Sequence, residues 1–276
     1  MEKEESIEKN IGYEKEKEKY GTDTISALAK EAVTYMGRKI SSFRKIPSFF
    51  ILMAMIPGIM VFIITLYTHL SGVFYYNIVF SIIYRALILL SGGLVASTIL
   101  LFITMWRNHI LWSKMAYLSL LDITDSMNNR DELMTRNIEE YIAYIDTLPI
   151  LIIIIIYIVL IGFWTIVGEM PTLSLVLAIV NNIVLSIIAY VTYTSLKKES
   201  RYDHGILSVA LKIFGGRKLR IFNPYINLKN MIIIIIATAG IAAYYWLYKT
   251  LELYNKHAEV YNEAETSLSV NLLKLI

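Results

Sequence analysis

Apolar residues gather into five blocks along the chain, each near the ~20 residues that cross a hydrocarbon core as a helix. The blocks predict spans over about 48–68, 76–105, 148–167, 173–194 and 230–248. Pro57-Gly58 sits inside the first and predicts a kink there. The third contains LIIIIIYIVLIGFW and the fifth MIIIIIATAGIAAYYWLY; their likeness is mostly isoleucine bias rather than a repeat. Tyr or Trp flanks the first, second and fifth, where amphipathic rings sit at a membrane interface.

Between the blocks the pattern changes period. Ile25, Leu28, Ala29, Ala32, Val33 and Met36 fall on one helical face, predicting an amphipathic helix over 22–36, opened by Asp23 or Thr24 and ended by Gly37. In the loop 106–147, Met134, Ile138, Tyr141, Ile142 and Ile145 share another face, after a turn at Asn128-Asn129. In the loop 195–229, DHGILSVALKIF predicts a short amphipathic helix stopped by Gly215-Gly216. These helices suit a membrane surface or a partner. The expected fold is therefore all-α: a polytopic membrane helical bundle of about five spans with amphipathic cytoplasmic surface helices. A charged tail (residues 1–47) precedes the transmembrane domain (48–248), and an amphipathic tail (249–276) follows, with Glu252 and Lys256 paired at i, i+4.

Composition agrees. Hydrophobic residues make up 56% of the 276 and charged residues only 18%, with a mean hydropathy of +0.55. Residues 1–20 are a Glu/Lys tract with too little apolar surface to offset ordering entropy. They carry no signal-peptide core, so the first span is expected to stay as an anchor. Arg38, Lys39, Arg44 and Lys45 precede span one, Arg107 and Lys114 follow span two, and a basic cluster lies between spans four and five. The opposite loops, around His69–Tyr75 and Gly168–Thr172, hold no Lys or Arg. Positive charge inside places the N-terminus in the cytoplasm of a multi-pass cell-membrane protein. Five spans would then put the C-terminal tail outside.

Candidate chemistry is sparse. There is no cysteine, no phosphate loop, no H-E-x-x-H and no G-x-S-x-G. No paired carboxylates fall within a span, so no catalysis and no cofactor are expected. Arg85 is the charge lying well inside a predicted span; it implies a polar interior, an anionic ligand or snorkelling. Asn181 and Asn182, mid-span, read as interhelical hydrogen bonding or as pore lining. Gly92, Gly93, Ala96 and Ser97 form small-xxx-small pairs, and Gly240 lies in a small-residue face of span five; both suit close helix packing or a homo-oligomer. Lys197, Lys198, Arg201, Lys212, Arg217, Lys218 and Arg220 form a basic stretch for anionic lipid or nucleic acid, interleaved with Tyr202, Phe214, Phe222 and Tyr225. His204 and His257 each follow a span, and five spans place them on opposite faces, so no metal site is expected.

With its Ile- and Tyr-rich spans, Lys/Glu-rich head and lack of Cys, the chain resembles in size and layout the polytopic membrane subunit of the crenarchaeal DNA-exchange (DNA-import) system. That resemblance implies a channel subunit of an archaeal translocation machine, in complex with small membrane proteins and a separate ATPase. It carries across no functional residue. The expected function is thus a non-enzymatic channel or scaffold subunit, with DNA as a cargo. The alternatives are an autonomous small-solute transporter or ion channel using Arg85 and Asn181-Asn182, and a membrane-bound enzyme or regulator using Asp203 and His204.

Overall fold

The computed structural model describes residues 23–71, 78–127, 131–144, 148–167, 170–216, 219, 222 and 224–276. They form eight helices: α1 (residues 23–42), α2 (Phe49–Ser71), α3 (Ile78–Ser126), α4 (Glu132–Tyr144), α5 (Leu148–Val167), α6 (Pro171–Phe214), α7 (Leu228–Ala237) and α8 (Ala242–Leu272). A 3-10 turn ends the chain at Leu273–Leu275. No strand occurs among the described residues. The tract 1–20, Asn128-Asn129 and the basic residues Arg217, Lys218 and Arg220 lie outside them.

Four helices are long and apolar enough to cross a membrane, contributed by α2, α3, α5 and α6. The fifth predicted span is not one helix. At 1.5 Å per residue, the 10-residue α7 is about 15 Å long, half of a ~30 Å hydrocarbon core. It ends at Thr238, and the chain reverses through Ala239 (φ 50°) and Gly240 (φ 89°) into α8. The small residues Thr238–Gly240, expected to form a packing face, form this turn instead. Thr238 serves both helices: its Oγ1 donates to the Ile234 carbonyl and accepts from the Ala242 N–H. Gly240 N–H returns to the Ile235 carbonyl at 2.7 Å. The segment 230–248 is thus a re-entrant hairpin, and both its ends lie on one side of the bundle. The C-terminal helix consequently packs beside α1, on the side where five spans would not have put it: Lys39 of α1 pairs with Glu265 of α8, and Ile46 exchanges two hydrogen bonds with Asn255.

The long helices do not stop at the membrane. α3 has 49 residues and α6 has 44, about 74 and 66 Å of helix, so each runs far beyond a ~30 Å core. The helix expected over DHGILSVALKIF is the unbroken end of α6; Leu-Lys-Lys-Glu-Ser carries no breaker, and the helix ends only at Gly215 (φ 78°). These extensions, with α1, α4 and α8, form a helical head. The apolar face of α1, with Ala29, Ala32 and Met36, is buried within the protein, Met36 against Ser269 of α8, and beside it Tyr35 stacks on Trp112 of α3 with Arg38 over the same ring. α1 also continues past Gly37, because Lys39 extends the buried stripe Ala29, Ala32, Met36 by another turn. α4 starts at Asp131, whose carboxylate accepts from Met134 N–H, and buries Met134, Ile138 and Tyr141 against the head.

Candidate functional site

Within the membrane the helices are joined by small polar groups. Near one face, Tyr84 Oη lies 2.6 Å from Thr65 Oγ1 and 2.5 Å from Ser174 Oγ, and Trp164 Nε1 donates to Ser174. That chain joins α2, α3, α5 and α6. Deeper, Ser91 Oγ donates to the Ala54 carbonyl, one turn before Pro57, and lies 3.0 Å from Tyr244 Oη. α2 stays continuous through Pro57, since a neighbouring hydroxyl reaches the carbonyl beside the break.

Asn181 and Asn182 are buried in this core. Asn182 Nδ2 donates to the Ala239 carbonyl at 2.8 Å and so holds the tip of the hairpin. A Cβ on Gly240 would stand 2.3 Å from Asn182 Cβ. The space beside these residues is about 10 Å³, room for at most one water. They therefore line no open passage in this conformation. Arg85 lies two turns into α3, half-buried, beside buried Tyr84. Gly92 packs tightly, its Cβ position 2.7 Å from Ile161, with Ala96 partly buried one turn on. Gly93 and Ser97 face outward, and nothing lies within 4 Å of a Cβ at Gly93.

The basic stretch is split by the structure. Lys197, Lys198 and Arg201 are exposed on one side of α6 and, with Thr194, His204 and Phe222, line an open cavity of about 560 Å³. Their near i, i+4, i+7 spacing makes the stripe. The returning chain forms the other wall, held by Ser200 Oγ to the Phe222 carbonyl and Tyr193 Oη to the Pro224 carbonyl. Lys212 is exposed farther along α6, outside the cavity. Of the interleaved aromatics, Tyr202 is buried edge-on to Tyr141, Phe214 and Phe222 are half-buried, and only Tyr225 is exposed.

The most concentrated chemistry lies in the core of the head. His109 (α3), Glu199 and Asp203 (α6) and His257 (α8) are all buried, each offering a ligand atom within 4.8 Å of the others. Around them stand Lys39 and Glu265, whose ion pair is fully buried. Each carboxylate has one satisfied oxygen: Trp106 Nε1 donates to Glu199 at 2.6 Å, Tyr117 Oη to Asp203 at 2.7 Å, and Lys39 Nζ to Glu265. The second oxygens, Glu199 Oε1, Asp203 Oδ2 and Glu265 Oε2, have no hydrogen-bond partner among the described residues. Neither do the ring nitrogens of His109 and His257.

Electrostatics separate these groups. Burial raises Asp203, but Lys39 and the neighbouring His257 outweigh it and hold the carboxyl below its ordinary range. Glu199 goes the other way: burial and the Asp203 charge push it well above the carboxylate range. Burial lowers both imidazoles and favours their neutral form. Lys39 is lowered by burial, yet Glu265 and Asp203 more than reverse this.

The hairpin is why sequence reading missed this cluster. Five spans separate Asp203 and His204 from His257; the reversal at Gly240 brings His257 Nε2 to 3.2 Å from Asp203 Oδ2. His204 stays half-buried on the cleft side. Lys39 and Glu265 gave one usable signal, because each sits on a stripe that is otherwise apolar, beside Met36 and Leu268. Comparison with known proteins finds no family model, no curated protein and no solved structure that matches the chain.

Proposed function

We propose that the chain is a non-enzymatic multi-pass subunit of a membrane translocation machine, with its head in the cytoplasm as the docking platform for a separate ATPase and other membrane subunits. DNA is the cargo this reading favours. The observation that carries it is the cleft on α6, where Lys197, Lys198 and Arg201 face open space at the level where the helix leaves the membrane. Long cationic side chains along one helix face suit the evenly spaced phosphates of a nucleic-acid backbone, read without base specificity. Two further features support it. α3, α6 and α8 belong to both the membrane bundle and the head, so a force on the head reaches the membrane helices through rigid elements. The chain also lacks a phosphate loop, so energy must come from another protein. The basic charge of the head side, by the positive-inside rule, supports its cytoplasmic placement.

The test is affinity purification from native membranes in mild detergent, with partners identified by mass spectrometry. The expected result is recovery of an ATPase and small membrane proteins in fixed ratio. Recovery of the chain by itself as a monomer or homo-oligomer would overturn the machine reading.

A further inference from the structure

We propose that His109, Glu199, Asp203 and His257 hold one divalent transition-metal ion of the zinc class, which clamps α3, α6 and α8 together in the head. The geometry comes first. Two ligand atoms bound about 2.1 Å from one tetrahedral ion lie about 3.4 Å apart. His109 Nε2 lies 3.4 Å from Glu199 Oε1, and His257 Nε2 lies 3.2 Å from Asp203 Oδ2. Those separations also suit a hydrogen bond or an ion pair; the His109–Glu199 pair makes no hydrogen bond, and the His257–Asp203 pair is close enough to interact electrostatically. All four ligand atoms lie within 4.8 Å of one another, close enough for small side-chain adjustments to bring them onto a single ion.

The carboxylate side of the surrounding shell fits. A metal-bound carboxylate is held by a hydrogen bond to its other oxygen, and here Trp106 and Tyr117 supply those bonds to Glu199 and Asp203. The ligand atoms left over are the unpartnered ones. Buried polar atoms without partners are rare, and their gathering at one spot asks for an occupant.

Charge gives a third, separate reason. Glu199, Asp203 and Glu265 are buried with one buried lysine, Lys39. Three buried carboxylates against one buried lysine are a donor set that a divalent cation complements. Two nitrogens and two carboxylate oxygens suit zinc, and also cobalt as its spectroscopic substitute. All four ligand residues are buried, as in a structural site rather than a catalytic one with an open position. The ion would enter as the head folds. The site adjoins the basic cleft: Phe222, which lines the cleft, has its ring centroid 5.6 Å from that of His257.

The test uses the full chain purified in detergent without added chelator. Elemental analysis should find close to one zinc-class ion per chain. After stripping with a chelator, titration with Co²⁺ should give the intense visible bands of a tetrahedral ion, displaced by Zn²⁺. Glu199→Gln keeps an acceptor for Trp106 but removes the anionic ligand; it should weaken Co²⁺ binding at least tenfold, and His257→Gln should do the same. Glu259→Gln, on the exposed side of α8, should change nothing. Folded wild-type protein that holds no metal and gives no Co²⁺ bands would overturn the proposal, with no variant needed. So would metal bound equally well by wild type, Glu199→Gln and His257→Gln, which would mark an adventitious surface ion.

Discussion

The same three helices, α3, α6 and α8, solve two different packing problems along their length. In the membrane half they join one another, α2 and α5 through hydroxyls, amides and an indole: Thr65, Tyr84, Trp164 and Ser174 at one level, Ser91, Tyr244 and Asn182 at another. Large apolar side chains such as Ile155, Ile179 and Ile233 point outward, as they can where the surroundings are lipid. In the head the outer face is charged, and the interior holds Lys39, His109, Glu199, Asp203, His257 and Glu265. The usual expectation is reversed: the charges are buried where water is near, and the membrane interior is held by neutral groups. Apolar packing could hold a helical head together on its own, and replacing a buried ion pair with apolar residues is often neutral. A polar core there therefore asks for a role beyond cohesion, whereas the neutral seam in the membrane is explained by cohesion.

The sharpest break of this comparison is topological, and its effect is all or none. If α7 and α8 form a re-entrant hairpin, tags placed at the two termini label from the same side of sealed vesicles. If 230–248 crosses as one span, they label from opposite sides, and the head loses α8. Next in size is Lys39→Met. It strands Glu265 and strips the cluster of its cation, and removing one partner of a buried pair costs about 3–5 kcal/mol. Thermal unfolding in detergent should show the loss. Adding Glu265→Leu should recover part of it, because Glu265 is then no longer stranded, while Asp203 still lacks the Lys39 charge. A double variant as unstable as the single one would mean that the pair itself holds the head.

Much of the membrane half was legible in the sequence, because lipid imposes one dominant rule. Blocks of ~20 apolar residues become helices, and four of the five lie in helices long and apolar enough to cross a membrane. The fifth escaped because its block has the right length and hydropathy; what breaks it is local, a positive φ at Ala239 and Gly240 and the reach of Asn182. No window average registers such a turn. The head was legible in pieces. The apolar faces of α1 and α4 were visible, but not what they cover, since that depends on α3 and α6 running on beyond the membrane. Lys39 reads as one of four basic residues marking the cytoplasmic side, and nothing in Arg-Lys-Ile says that its neighbour is Glu265, 226 residues away. The cluster inherits the hairpin's illegibility, because His257 reaches Asp203 only if the chain turns back at Gly240.

The cleft sharpens the contrast between buried and exposed charge. Lys197, Lys198 and Arg201 share α6 with Glu199 and Asp203 but face solvent. Replacing all three with alanine should leave thermal stability nearly unchanged, since exposed charges contribute little to it. Binding of duplex DNA by the protein in nanodiscs of neutral lipid should fall sharply. The slope of log affinity against log salt should become shallower by ~0.9 for each phosphate that the protein no longer neutralises. Unchanged affinity and slope would remove DNA from the cleft.

Asn182→Leu gives the smallest expected effect and probes the membrane half most finely. The substitution removes the bond to the Ala239 carbonyl and leaves that oxygen at a helix break inside the bilayer. Interhelical hydrogen bonds in membranes average ~0.6 kcal/mol, because alternative partners are close at hand. At this hairpin the alternatives are few: Thr238 is already engaged with Ile234 and Ala242, and Gly240 N–H with Ile235. The loss should therefore lie above that average, toward ~1.7 kcal/mol, the upper end for such bonds. It should appear as a lower unfolding temperature, together with faster labelling of a cysteine placed at Ala239. A loss at or below the average, with labelling unchanged, would mean that the turn is held by its own backbone and that Asn182 only fills space.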